Sequence, residues 1–221
     1  MPINQDNYFE IINELKDKAT LVAVSKTKPN EDIQALYDLG QRDFGENYVQ
    51  ELVDKQAALP GDIRWHFIGH LQSNKVKYIA PFVHLIHGVD SISLLKEINK
   101  QGLKNNRVID CLLQVHIAKE ETKFGFALEE LGEISELQEL KNVHIIGLMG
   151  MASFSNDMNL VAGEFASLKK AYDGYAQSSK QQFDFTTLSM GMSGDYKLAI
   201  ENGSNMVRIG SLLFGERNYK H

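Results

Sequence analysis

The sequence predicts a (β/α)8 TIM barrel, an α/β fold, that forms a single domain over residues 1–221. The chain has 221 residues, a length that suits one barrel. Apolar segments alternate with amphipathic segments along the whole chain, as strands and helices do in this fold. The first apolar run, at 21–24, has no polar interruption, which is typical of a parallel strand buried on both faces.

Each element has its own signal in the sequence. Residues 5–18 carry apolar side chains on one face, which predicts an additional N-terminal helix before the barrel. Asn30 is placed to cap a helix over 31–39 that ends at Gly40. Further strands are predicted at 43–45, 64–69, 83–87, 108–117, 143–149, 187–189 and 206–209. Further helices are predicted from 46 through 56, after 73, and over 91–101, 127–139, 156–178, 194–202 and 212–214.

An open doubly wound sheet is the alternative fold for such a pattern. That fold predicts a glycine-rich dinucleotide turn directly after the first strand. The chain has Ser25-Lys26-Thr27-Lys28 at this place, so the barrel is favoured.

Composition excludes several classes of partner. The net charge is 23 − 29 = −6, and the basic residues are scattered, which argues against nucleic acid and anionic membranes. No apolar run has the length of a membrane span, and the acidic residues within 1–18 argue against a signal peptide. Cys111 is the one cysteine and lies in a predicted strand, so we expect a buried, reduced thiol and a cytoplasmic protein.

Lys26 stands at the carboxyl end of the first strand, where barrels place their chemistry. A lone lysine at such a position is more often solvated, so a functional role for Lys26 depends on which residues follow the other strands. The segments 189–195 and 208–211 follow the last two strands, where phosphate sites recur in barrels. Their glycines permit backbone N–H groups to face an anion, and Ser193 and Ser211 offer hydroxyl groups.

Barrel closure brings the eighth strand beside the first, so Lys26 is expected next to this phosphate site. A lysine beside a phosphate suggests a Schiff base with a phosphorylated carbonyl compound. Two ligands fit that description: pyridoxal 5'-phosphate (PLP), or a sugar phosphate as in a lysine-dependent aldolase. Lys28 is the competing nucleophile, but it lies beyond the strand end beside Pro29 and is expected to be exposed.

No metal site is predicted. His84 and His87 are three residues apart on a predicted strand, so they point to opposite faces and cannot chelate one ion. The sequence has no histidine pair at helical spacing within a predicted helix, and no cysteine pair.

Eight short motifs resemble those of the pyridoxal phosphate homeostasis proteins, and they occur in the expected order from residue 21 to the C-terminus. They are AVSKTKP at 23–29, FGENY at 44–48, WHFIG at 65–69, LQSNK at 71–75, KFG at 123–125, GLM at 147–149, LSMGMS at 188–193 and VRIG at 207–210. The resemblance implies a barrel like the N-terminal domain of alanine racemase, with PLP held as an imine on Lys26.

The same resemblance implies the roles of other residues. Ser193, Gly210 and Ser211 would hold the phosphate, and Arg208 would face the pyridine nitrogen. Asn47 and His66 fall in motifs typical of the cofactor pocket, and His66 could equally be a core histidine of its strand.

The implied function is a PLP-binding protein of intracellular vitamin B6 homeostasis, with indirect effects on amino-acid metabolism. PLP-dependent apoenzymes would be the recipients of its cofactor. An arginine at the ring nitrogen does not readily give up a proton, so it weakens carbanion stabilisation without excluding it. We also expect the second domain of racemases, which supplies their opposing tyrosine, to be missing, so a carrier without enzymatic activity and a monomer are favoured. A PLP-dependent amino-acid racemase of low activity is the alternative.

Overall fold

The computed structural model describes residues 3–119, 124–132, 140–177 and 183–215. In these residues eight parallel strands form a closed barrel in sequential order, and the last strand pairs with the first. The predicted TIM barrel is therefore confirmed.

The strands and helices alternate along the described residues, except between the fifth and sixth strands, where those residues include a 3-10 turn but no α-helix. The strands are β1 (Thr20–Val24), β2 (Asp43–Glu46), β3 (Arg64–Phe67), β4 (Leu85–Val89), β5 (Ile109–Val115), β6 (Val143–Gly150), β7 (Phe183–Met192) and β8 (Met206–Ile209). The helices are α1 (Gln5–Leu15), α2 (Asn30–Asp38), α3 (Val49–Ala58), α4 (Val76–Ile79), α5 (Ile92–Lys104), α6 (Met158–Gln177), α7 (Tyr196–Glu201) and α8 (Ser211–Phe214). The 3-10 turn Ser73–Lys75 precedes α4.

Two apolar clusters hold the barrel together. The larger one packs the outer faces of the strands against the helices and includes Phe44, Phe67 and Phe165. Each such side chain stabilises the fold by about 1.5–3 kcal/mol relative to an exposed one. The smaller cluster consists of Val22, Leu85, Leu112, Met149 and Met206. Because side chains alternate between the two faces of a strand, this second cluster fills the barrel interior.

Polar side chains share that interior with the smaller cluster. His66, His87, Ser189 and Arg208 are all buried and belong to four different strands. Hydrogen bonds connect these four side chains to one another. The interior of this barrel is therefore partly a polar network rather than a wholly apolar core.

Several element boundaries differ from the prediction. Helix α1 ends at Leu15 because Lys16 has a backbone φ of 33°, which is not helical. Strand β4 begins at Leu85 rather than at 83, since the Val83 N–H still bonds to the Ile79 carbonyl of the preceding helix. Strand β7 has ten residues, well beyond the three predicted.

The prediction that Asn30 caps α2 is wrong. Asn30 is the first residue of the helix, and Pro29 stands at the capping position without a side-chain hydrogen bond. The proline holds the extended backbone that a capping residue needs, so the helix starts one residue earlier. Gly40 ends the segment as predicted, with a φ of +106° and a bond from its N–H to the Tyr37 carbonyl at 2.9 Å.

The helix predicted over 127–139 and the burial predicted for Cys111 can also be compared with the structure. Of the helix predicted over 127–139, residues 128–132 form a 3-10 turn, and 133–139 lie outside the described residues. Cys111 is fully buried in β5, as predicted. None of the described helices is long and apolar enough to cross a membrane.

Candidate cofactor site

A cleft of about 440 Å³ opens at the carboxyl end of the barrel. Six of the seven predicted site residues line it, namely Lys26, Asn47, Ser193, Arg208, Gly210 and Ser211. Val24, Ile68, Met151, Phe154 and Met192 give it apolar walls. We call this the barrel-mouth cleft. Apolar walls with a few convergent polar groups are typical of small-molecule sites.

Lys26 lies in a tight turn directly after β1 and is half-buried. The Ser25 N–H donates to the Gly45 carbonyl at 3.0 Å, and the Lys28 N–H donates back to the Ser25 carbonyl at 3.0 Å. Thr27 has a φ of 63°, a left-handed conformation that β-branched residues rarely adopt. The surroundings must therefore hold the turn in place.

A largely buried polar cluster lies beneath this turn and bonds to its backbone. It consists of Ser25, Glu46, Glu51 and Lys55, and we call it the Lys55 cluster. Lys55 Nζ donates to the Ser25 carbonyl at 2.8 Å, to Glu46 Oε1 at 2.8 Å and to Glu51 Oε1 at 2.7 Å. Glu51 Oε1 also accepts the Thr27 N–H at 2.6 Å. The backbone on both sides of Lys26 is thus anchored to helix α3.

Glu46 in this cluster is completely buried. Burial raises its pKa to about 7, against the opposing effect of the Lys55 ammonium and its hydrogen bond. Its Oε1 accepts the Ser25 hydroxyl at 2.6 Å, whereas no described donor reaches its Oε2. Glu46 precedes Asn47, which lines the cleft.

The expectation that Lys28 is exposed is wrong. Lys28 is half-buried and lines the cleft. Its Nζ donates to the carbonyl groups of Phe214 at 2.8 Å and Gly215 at 3.3 Å, at the end of α8. The turn after β1 folds back over the cleft, so this side chain reaches α8 instead of solvent.

The two loops predicted to bind phosphate meet at the cleft. Ser193 Oγ accepts the Gly210 N–H at 3.2 Å, which joins the loop after β7 to the loop after β8. A Cβ at Gly210 would lie 3.2 Å from the Val24 carbonyl oxygen, so the close approach of β8 to β1 favours glycine. Gly191 has a φ of +93°, and a Cβ there would lie 2.6 Å from that of Ala199. Glycine at 191 permits α7 to pack close to the end of β7.

Arg208 is buried beneath these loops. One terminal nitrogen, Nη1, donates to Ser189 Oγ at 2.6 Å, and the other, Nη2, donates to the Gly150 carbonyl at 3.0 Å. Burial lowers its pKa to about 10, with Asp195 acting in the opposite direction. The guanidinium therefore stays charged at neutral pH and can act only as a donor.

Asn47 supplies a further test of whether this cleft fits PLP. Among the described residues, none donates to Asn47 Oδ1, although this atom is buried and its residue lines the cleft. Buried acceptors are normally satisfied, so a bound ligand with a donor group would complete it. The lysine amine, the serine hydroxyls, the guanidinium and this acceptor together match the chemistry of PLP.

His66 lies apart from the residues that line the cleft. Its ring is buried in the barrel interior, with Nδ1 at 2.9 Å from His87 Nε2 and Nε2 at 3.0 Å from Asp43 Oδ1. His66 is not among the described residues that line the cleft, so no direct contact supports its predicted role in the cofactor pocket. Its position is that of a core histidine, the other role considered for it.

Sequence reasoning missed a cluster at the opposite end of the barrel. Potential metal-ligating atoms of Asp43, His66 and His84 lie within 4.8 Å of one another. The Asp43 carboxylate is already hydrogen-bonded to Arg64 and His66, so it has partners without a metal ion. Spacing along the chain could not reveal this cluster because its members come from three successive strand regions.

Comparison with known proteins places the chain in a family. The family model for the alanine racemase N-terminal domain matches residues 4–218. A pyridoxal phosphate homeostasis protein of Aquifex aeolicus is 44% identical over 203 residues, which cover 91% of this chain and 88% of that protein. PipY of Synechococcus elongatus, whose structure was solved with PLP bound, has a TM-score of 0.87 and 35% identity, with 95% of this chain and 99% of that chain covered.

Alanine racemase of Clostridium difficile shares the fold alone. Its TM-score is 0.77 at 16% identity, and the match covers 98% of this chain but 57% of the racemase. The family-model match and the close relatives agree with the resemblance seen in the motifs. The chain belongs to the family of the pyridoxal phosphate homeostasis proteins, whose barrel is that of the alanine racemase N-terminal domain.

Proposed function

We propose that this protein binds PLP as a Schiff base on Lys26 and acts in intracellular PLP homeostasis as a carrier. One observation carries the proposal: a lysine, a two-loop serine–glycine cradle and a buried guanidinium converge on a single cleft. Its relatives support it, since one is named for PLP homeostasis and PipY was solved with PLP bound. The cleft volume of about 440 Å³ suits a ligand of this size.

Each group in the cleft would have a defined task. The Lys26 amine would form the imine, and Ser193, Gly210 and Ser211 would hold the phosphate. Arg208 would donate to the pyridine nitrogen, where PLP when bound supplies an electron sink. A guanidinium keeps that nitrogen unprotonated, so the sink is weaker than with an aspartate partner.

A carrier is favoured over a racemase by the side chains of the cleft. Among its described lining residues, the ionisable groups are Lys26, Lys28 and Arg208. No carboxylate, histidine or tyrosine of the described chain lines the cleft opposite Lys26 to act as a second acid or base. Stereochemical inversion needs proton transfer on both faces of the substrate, so this geometry supports holding the cofactor.

Borohydride reduction of the PLP-loaded protein tests the proposal. We expect a visible absorption band that shifts on reduction, with a pyridoxyl group on the peptide containing Lys26. Lys26→Ala should lose the band, and Lys28→Ala should keep it, although both lysines line the cleft. A wild-type protein that shows no visible band once free PLP has been removed would contradict the proposal, and a pyridoxyl group on Lys28 would place the imine on that lysine instead.

Turnover and transfer assays then separate the alternatives. A panel of amino acids should show no Lys26-dependent racemisation with the loaded protein, whereas such turnover would favour the racemase. Delivery is tested by adding an apoenzyme together with a phosphatase that destroys free PLP. Activation that survives the phosphatase would show protected transfer, and activation that disappears would limit this protein to storage.

A further inference from the structure

A continuous line of hydrogen bonds crosses the barrel interior beneath the cleft. Arg208 Nη1 is 2.6 Å from Ser189 Oγ, and Ser189 Oγ is 3.2 Å from His87 Nδ1. His87 Nε2 is 2.9 Å from His66 Nδ1, and His66 Nε2 is 3.0 Å from Asp43 Oδ1. All five residues are buried.

The two ends of this line determine where every proton lies. Burial opposes ionisation of Asp43, but hydrogen bonds from Arg64 and His66 outweigh it, and the pKa falls to about 2. Asp43 is therefore an acceptor only. At the other end the Arg208 guanidinium is a donor only. His66 Nε2–H must consequently donate to Asp43, and Ser189 Oγ must accept from Arg208.

The middle of the line then has one consistent arrangement. Arg208 donates to Ser189 Oγ, and His87 Nδ1 is the one described acceptor within reach of the Ser189 proton, so the hydroxyl donates to it. The His87 ring then carries its proton on Nε2 and donates to His66 Nδ1, which accepts. Burial, reinforced by His66, Arg208 and His84, lowers the pKa of His87 well below its usual value, so its ring stays neutral.

We propose that Ser189, His87, His66 and Asp43 form a directed relay that positions the Arg208 guanidinium for the pyridine nitrogen of bound PLP. The inference rests on the proposed PLP-binding function. Because the Ser189 proton is held by His87, Ser189 offers Arg208 only lone pairs. Ser189 and the Gly150 carbonyl together fix the plane of the guanidinium. The four relay residues are positioning residues, and His66 contributes from outside the cleft.

Ser189→Ala tests the relay through the choice of ligand. We expect this change to weaken PLP binding by about 10- to 20-fold, near the lower end of the cost of one lost hydrogen bond to a charged group. Binding of the PLP analogue with carbon in place of the ring nitrogen should change less than about twofold, because it makes no bond to Arg208. An equal loss for both ligands would reduce Ser189 to a structural role and overturn the relay.

Ser204→Ala is the matched control. Ser204 is a buried serine of the same region, and its hydroxyl bonds to the backbone of Leu188, Met190 and Met206 instead of the relay. Ser204→Ala should leave the ratio of the affinities for PLP and for the carbon analogue at the wild-type value, even if the change lowers the stability of the protein. A ratio that changes as much as in Ser189→Ala would also contradict the relay.

The histidine tautomers provide an independent measurement that needs no cofactor. Two-bond proton–nitrogen NMR spectra at neutral pH should show both His66 and His87 as neutral rings with the proton on Nε2. A proton on Nδ1 of either ring, or a charged ring, would overturn the direction of the relay. Wild-type protein that fails to bind PLP would instead contradict the proposed function, and the tautomers would still decide the relay.

Discussion

Lys55 Nζ lies 2.8 Å from the carbonyl oxygen of Ser25, the residue that precedes Lys26. The same ammonium bonds to Glu51, which accepts the N–H of Thr27 on the other side of Lys26. Two side chains of α3 therefore hydrogen-bond to the backbone of both neighbours of Lys26, the proposed imine lysine. These bonds stabilise the left-handed backbone conformation of Thr27.

Glu51→Ala should loosen the turn that carries Lys26. The change removes the acceptor for the Thr27 N–H and one partner of Lys55. We expect a loss of about 1–2 kcal/mol in the free energy of unfolding, and PLP affinity about 5-fold lower because the lysine must be ordered on binding. Urea unfolding and titration of the imine absorption would measure the two effects.

Asp54→Ala is the control for this change. Asp54 belongs to the same helix but accepts from Gln50 on the exposed side, away from the turn. It should leave PLP affinity unchanged and alter stability by less than about 0.5 kcal/mol. Wild-type affinity in Glu51→Ala would show that α3 does not position Lys26.

Ser193→Ala should weaken the grip on the phosphate without preventing imine formation. Its hydroxyl joins the two loops through the Gly210 N–H and lines the cleft. We expect PLP affinity to fall about 10-fold, whereas affinity for pyridoxal, which has no phosphate, should stay within about twofold of wild type. An imine band that still appears at high PLP would complete the prediction. Equal losses for the two ligands would mean that the phosphate lies elsewhere.

The barrel and most of the cleft could be predicted because their signals are local. Apolar runs, turn residues and the order of strands place Lys26 beside the loops at 193 and 210, and the structure brings these residues together. Lys28 was misplaced because its partners, the carbonyl groups of Phe214 and Gly215, are about 186 residues away along the chain. Pattern reasoning has no access to such a contact.

The hydrogen bonds inside the barrel also join residues that are far apart in the sequence, so local patterns could not predict them. His87 and Ser189 are 102 residues apart, and His66 is 23 residues from Asp43. Each residue alone reads as an ordinary strand residue, and only barrel closure joins them into a line. The Lys55 cluster was missed for a similar reason, because a lysine in an amphipathic helix is normally solvated.

Cys111 should react with thiol reagents only when the barrel opens. Its side chain is fully buried, and burial raises the pKa of the thiol, so both access and thiolate formation are suppressed. We expect labelling of the native protein to be at least about a thousandfold slower than in concentrated urea. Mass spectrometry of timed samples would measure both rates. Native labelling at a comparable rate would contradict the packing of β5.

Asp43 should give the barrel a stability that depends on acidic pH. Its folded pKa of about 2 lies below the unfolded value, so the ionised carboxylate stabilises the fold above about pH 4. This contribution is lost as the pH falls toward 2 and amounts to about 2 kcal/mol. In Asp43→Asn that part of the pH dependence should disappear. Urea unfolding of both proteins between pH 2 and about pH 6 measures it.

Asp62→Asn separates this effect from that of an ordinary surface ion pair. Asp62 also bonds to an arginine, Arg42, at 2.9 Å, but its side chain is 58% exposed, against 9% for Asp43. Solvent screens the exposed pair, so its loss should change the acid dependence much less. Similar curves for the two variants would show that the buried hydrogen bonds from Arg64 and His66 do not hold the Asp43 carboxylate in its ionised form. In that case the fixed acceptor at the end of the relay would be absent as well.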